Sequence, residues 1–137
     1  MTVERGAAEG QWQSWIERIG AAWSQRLHLI SAWNRFFADF DVLLTPTWTQ
    51  LPFVHGADAS PNGAAATIEL ARPVLPANVL GFPAACVPAT LVDGLPVGMM
   101  LTGPAWSDLT CLRVAADIEV RNDVQPTPID PKVPAHG

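Results

Sequence analysis

Residues 72–104 read RPVLPANVLGFPAACVPATLVDGLPVGMMLTGP. This stretch holds six of the chain's thirteen prolines and four of its ten glycines, set between short apolar runs. Proline fixes φ and cannot donate a backbone hydrogen bond, whereas glycine opens positive φ, so such a segment folds as sharply bounded pieces. Pro76 suits the first turn of a short helix and Gly81 its left-handed closure. Residues 84–91 and 96–102 then read as two strands. Asp93-Gly94 between them is a strong short-range hairpin signature. Pro83, Pro88 and Pro96 fall where a sheet tolerates proline, at strand starts or at a bulge.

Working outward, residues 11–40 carry apolar residues at steps of three or four: Trp12, Trp15, Ile16, Ile19, Trp23, Leu27, Ile30, Trp33, Phe37 and Phe40. The period is helical. A single helix of that length would span about 45 Å, so a break near Gly20 or Ser31 is expected. The stripe suits either a membrane-surface or partner helix, or one face packed on a sheet. The second is favoured because the opposite face mixes Glu17, Arg18, Arg26, Arg35 and Asp39 instead of being basic. Residues 41–45 (DVLLT) read as a buried strand stopped by Pro46. Residues 48–66 read as loop, with Asn62-Gly63 as a turn, and 67–71 as a short helical turn ended by Pro73. A helix over 108–120, capped by Ser107, has Leu109, Leu112, Ala116 and Ile118 as its apolar face.

The pieces in order resemble the amidase-signature family. The match lies in Pro76, Ala77, Asn78, Gly81, Pro83, Ala84, Val87 and Pro88, then Asp93 to Gly98, flanked by Asp41–Thr47 and by Leu109–Glu119. The resemblance covers roughly residues 12–121 and is confined to the C-terminal third of the family pattern. It implies an α/β fold with a small mixed sheet, its hairpin packed by an N-terminal amphipathic helix and a C-terminal helix. The expected organisation is a lead-in over 1–10, the amidase-like segment over 11–121 and a proline-rich, extended or disordered tail over 122–137.

Family members hydrolyse carboxylic amides with a serine nucleophile, a second serine in a cis peptide and a lysine. None of these can be placed here. The five serines, Ser14, Ser24, Ser31, Ser60 and Ser107, lie outside any Gly/Ser-rich run, and the single lysine is Lys132 in the tail. An activated lysine must lose its proton through burial or a cationic neighbour, and the sequence around Lys132 offers neither. The chain is therefore expected to supply scaffold and substrate-side wall, to be inactive alone, and to meet a small-molecule amide only in a complete enzyme. The alternative is a non-catalytic assembly module that pairs with itself or with a separate catalytic chain.

Candidate wall residues are Thr47, at a strand exit where α/β sheets often hold ligands, together with Glu69, Arg72 and Asn78. An acidic residue before the asparagine helps some family members read substrate, but here Glu69 is displaced and Arg72 opposes it. A solvated ion pair within one helical turn competes with that role. Asn78 suits a structural role, tying down nearby backbone.

Other chemistries find little support. His28, His55 and His136 have no metal-ligand spacing, no cofactor loop is present, and Cys86 with His55 lacks the electropositive setting of a reactive thiolate. A net charge of −5 argues against a nucleic-acid partner. No secretory h-region and no apolar run of about 18 residues is seen, so a cytoplasmic location and no membrane association are expected. At 137 residues the chain fits one domain.

Overall fold

The computed structural model describes residues 3–124. The elements are α1 (Val3–Phe36), β1 (Leu43–Pro46), a 3-10 turn (Ala57–Ala59), α2 (Gly63–Leu70), α3 (Leu75–Leu80), β2 (Ala84–Val92), β3 (Leu95–Thr102) and α4 (Asp108–Arg121).

The hairpin forms as its turn chemistry dictates. Asp93 and Gly94 both have positive φ, 51° and 77°. This is the primed two-residue turn whose twist matches the strands it joins. Val92 pairs with Leu95 and the ladder runs back to Ala84 opposite Thr102, with a register shift between Pro88 and Thr90. Pro88 thus stands at a bulge. β1 adds to the other side of β3, Leu43 opposite Thr102, giving the order β1-β3-β2. The α/β class holds, and the three described strands are antiparallel throughout where a mixed sheet was expected. Upstream, α3 carries Pro76 in its first turn and closes at Gly81, φ 76°, whose N–H donates to Ala77 O.

Strand alternation gives the sheet two faces. Ala85, Val87, Met99 and Leu101 point toward α4 and form the core with Val114, Ala115 and Ile118. Leu101 is fully buried. The buried side of α4 is Cys111, Val114, Ala115 and Ile118; of the expected face only Ile118 belongs to it, and Leu109, Leu112 and Ala116 are exposed. The spacing 111, 114, 115, 118 is the better helical stripe once Cys111 counts as a small hydrophobe. Ser107 also departs from its expected role. Its hydroxyl donates to Pro104 O at 2.7 Å instead of capping the helix.

α1 is one unbroken helix, without the break expected at Gly20 or Ser31. It begins at Val3, within the stretch expected as a lead-in. Among the described residues its contacts with the body of the fold lie from Arg26 onward. Trp33 and the following Phe37 pack on Phe82 at centroid distances of 5.9 and 5.7 Å. Arg26 donates Nε–H to Val79 O and Nη2–H to Leu80 O. The stripe from Trp12 to Leu27 is solvent-exposed and does not pack on the sheet. The physical reason is length: a straight helix projects most of its turns past a three-stranded sheet. Residues 48–66 are more ordered than loop composition suggests. They include the 3-10 turn and the start of α2 at Gly63, which packs on the carbonyls of Ala57 and Asp58 too closely for any Cβ. The proline-rich tail lies outside the described residues beyond Val124.

Candidate functional site

The sheet face away from α4 carries Thr45 and Thr47 from β1 and its exit, Gly98 and Met100 from β3, and Cys86 and Pro88 from β2. At the hairpin end of this face lies a cleft of about 580 Å³, lined in part by Thr47, Trp48, Phe53, Cys86, Pro88 and Gly98. Trp48 and Phe53 form a tilted aromatic pair, centroids 6.3 Å apart, on the loop that flanks it. Gln50 supplies an amide, and among the described residues no charged side chain lines the cleft. Such a site takes an apolar group and offers it a few polar contacts.

Thr47 is fixed by its neighbours. Its backbone N–H donates to Gly98 O at 3.1 Å, extending the β1–β3 ladder by one residue. Its hydroxyl rests against Gly98, where a Cβ would come within 2.9 Å of Oγ1. Glycine at this position therefore sets the depth of the cleft floor. The Oγ1 atoms of both Thr45 and Thr47 are buried without a hydrogen-bond partner among the described residues.

The other candidates lie elsewhere. Glu69 and Arg72 form an exposed ion pair of 3.1 Å. Arg72 flanks a separate groove with Leu29, Trp33 and Val79. Asn78 is exposed on α3, and its side chain makes no hydrogen bond among the described residues. The anchoring role expected of it belongs instead to Asn122, which donates Nδ2–H to Pro88 O and Ala89 O. Of the four candidates only Thr47 reaches the cleft. Trp48, Phe53 and Pro88 were missed as lining residues. Two aromatics in a proline-bearing loop beside a strand exit are the signal that could have found them.

Among the described residues, reacting groups are not assembled at the cleft. No serine lines it: Ser60 Oγ donates to Ala57 O and Ser107 Oγ to Pro104 O. Cys86 stands exposed at its edge, and His55 is not among its lining residues. Among the described residues no group of three His, Cys, Asp or Glu side chains could hold a metal ion, and no helix is long and apolar enough to cross a membrane.

Comparison with known proteins places this architecture. Residues 10–112 match the family model described as Amidase. The chain is 32% identical over 116 residues to a component of the glutamyl-tRNA(Gln) amidotransferase of Streptococcus suis (strain 05ZYH33), covering 85% of this chain and 23% of that protein. The Streptococcus pyogenes (serotype M5, strain Manfredo) counterpart is 31% identical over the same span. Among solved structures, the corresponding amidotransferase component of Thermotoga maritima superimposes with a TM-score of 0.66 at 26% identity, over 88% of this chain and 27% of that one. A bacterial aryl acylamidase of the amidase-signature family gives 0.65 at 30% identity, over 80% and 24%. The chain thus spans about a quarter of the length of its relatives, and it belongs to the amidase family.

Proposed function

We propose that this chain forms the substrate-side wall of a cytoplasmic enzyme that hydrolyses carboxylic amides at the C–N bond, and that it does not turn over amides by itself. The observation that carries this reading is the cleft. It is roomy and apolar, with Thr47 and Gly98 in its lining, yet no serine, histidine or lysine of the described residues faces it. Amide hydrolysis needs a nucleophile, a base within hydrogen-bond reach and donors for the developing oxyanion. Those groups would come from the remaining part of a full-length enzyme, and a wall without charge suits the acyl or aryl side of an uncharged amide. The unpaired thiols of Cys86 and Cys111 are compatible with a reducing compartment.

The test is amide and ester turnover by the purified chain, with and without a serine-directed inhibitor. No inhibitor-sensitive turnover is expected, and its detection would overturn the claim of inactivity. In an enzyme completed with the missing part, Cys86→Trp narrows the cleft and raises KM for bulky amides. An unchanged KM would remove the cleft from the substrate path.

A second reading is a non-catalytic assembly module. It is favoured by one observation, the exposed run Trp12, Trp15, Ile16, Ile19, Trp23 and Leu27 on α1. An apolar face of this extent marks an interaction surface. Size-exclusion chromatography across a range of concentrations decides it, since a monomer at every concentration argues against self-pairing.

A further inference from the structure

Before it reaches Arg26, α1 carries an apolar face that the described residues leave open. Trp12, Trp15, Ile16, Ile19, Trp23 and Leu27 are each between 51% and 69% exposed. At about 3.6 residues per turn they fall on one stripe, roughly a third of the helix circumference wide. The body of the fold sits on one flank of that stripe, through Arg26, Trp33 and Phe37, and leaves Leu27 in solvent. One turn and more beyond Leu27 the same line reaches Asn34, which is polar and exposed, so the open apolar face ends there. Its six residues leave roughly 800 Å² in solvent, about the area that each partner of a stable complex covers.

We propose that this face pairs with the same face of a second copy of the chain, as two antiparallel helices related by a two-fold axis between Ile19 and Gly20. The proposal rests on the self-pairing of the assembly reading above and names its seam. Side-chain size is the first argument for a second copy. About that axis Trp12 stands opposite Leu27 of the second copy, Trp15 opposite Ser24, and Ile16 opposite Trp23, so every indole faces a smaller side chain. A two-fold interface must be complementary to itself, and facing large with small residues is how two such surfaces interdigitate. Gly20 is the second argument. Glycine weakens a helix interior, yet α1 runs through it unbroken, and a Cβ added there would meet nothing within 4 Å. No contact with the described residues accounts for it. At the axis it lies against Ile19 of the second copy and lets the two helices close around that side chain. Charge does not oppose the pairing. Glu17 and Arg18 stand opposite Ala22 and Ala21, and Arg26 opposite Gln13, so no like charges meet.

The experiment is sedimentation equilibrium on the full chain, where a dimer is expected. Ile19→Asp should raise the dimer dissociation constant about 100-fold or more, as for a charge placed at the centre of an apolar interface. Gly20→Leu should raise it about tenfold by holding the helices apart, while the thermal midpoint of the monomer rises because leucine is the better helix former. Both positions precede Arg26, where α1 first meets the body, so both variants still fold. Nitroxides at Gln11→Cys or Ala22→Cys, in a Cys86→Ser background, report the direction of pairing. In the antiparallel seam the two Gln11 positions are offset by about 25 Å along the helix axis and the two Ala22 positions by about 8 Å. The label separation from double electron–electron resonance should therefore be longer at Gln11 by more than about 10 Å. A monomer at every concentration overturns the proposal together with the self-pairing on which it rests, and leaves the face to a different chain. A dimer as tight with Ile19→Asp or Gly20→Leu as without, or equal separations at the two labels, overturns this seam alone.

Discussion

The guanidinium of Arg26, in the C-terminal half of α1, donates Nη2–H to the carbonyl oxygen of Leu80 at 2.9 Å, across 54 residues of sequence. With the Nε–H bond to Val79 O at 2.8 Å it occupies two of the carbonyls that the end of α3 leaves open. A cation at a helix C-terminus also meets the negative end of the helix dipole. The guanidinium lies 5.2 Å from the Trp23 ring centroid, which holds its plane. Arg26→Ala is expected to cost about 1–2 kcal/mol in urea unfolding, discounted for partial exposure. Arg26→Lys should recover less than half of that, since one ammonium cannot reproduce the fork. Equal stability of all three chains would mean that the contact does not hold α1 to α3.

The buried hydroxyl of Thr45 points the other way. Its Oγ1 has no partner among the described residues, so the folded state carries an uncompensated polar atom. Thr45→Val keeps the shape and the preference for a strand while removing that atom. Thermal or urea unfolding should show a gain of about 1 kcal/mol. A loss of similar size would show that the hydroxyl is satisfied in solution.

Asn122 offers a prediction with a pH sign. Asn122→Asp places a carboxylate against Pro88 O and Ala89 O, which can only accept. The ionised form is repelled, so the folded-state pKa of this carboxyl lies above its unfolded value of about 3.9. The folded state then holds the extra proton. Stability should be nearest to that of Asn122 below the unfolded pKa and should fall as pH rises through the folded one. Unfolding measured from acid to neutral pH checks this, and a pH-independent difference between the two chains would refute it.

Trp106 adopts φ 68°, a left-handed conformation, while the residue is 96% exposed. A bulky residue there costs about 1–2 kcal/mol, and the indole recovers none of it by packing against the described residues. Trp106→Gly should therefore raise stability by up to about 1 kcal/mol, the remainder being offset by the entropy of glycine in the unfolded chain. A destabilised variant would mean that the indole has a packing partner in solution.

Much of the fold is legible in residues 72–104 because there each local rule agrees with the next. Asp93-Gly94 has one hairpin conformation open to it, Gly81 and Pro76 bracket a helix too short for other bounds, and the prolines exclude most alternative registers. The cleft was only partly legible. That Thr47 lines it could be read from the chain, because a strand exit is a local feature. Trp48 and Phe53 share the loop that follows that exit, but Pro88 reaches them from β2 on the far side of β3, and no spacing in the chain encodes that approach.

Local stereochemistry acts over a few residues, so the chain alone specified the hairpin turn, the helix over 75–80 and the family pattern they compose. Which face of a helix is covered depends on what lies opposite it, and that is a property of the assembled layers. Tertiary structure therefore decided that Cys111 and not Leu109 enters the core, that α1 runs straight and leaves Trp12 to Leu27 in solvent, and that Asn122, not Asn78, anchors a distant strand. Each of these outcomes turns on surface buried between segments far apart in sequence, a quantity that periodicity ranks but cannot assign.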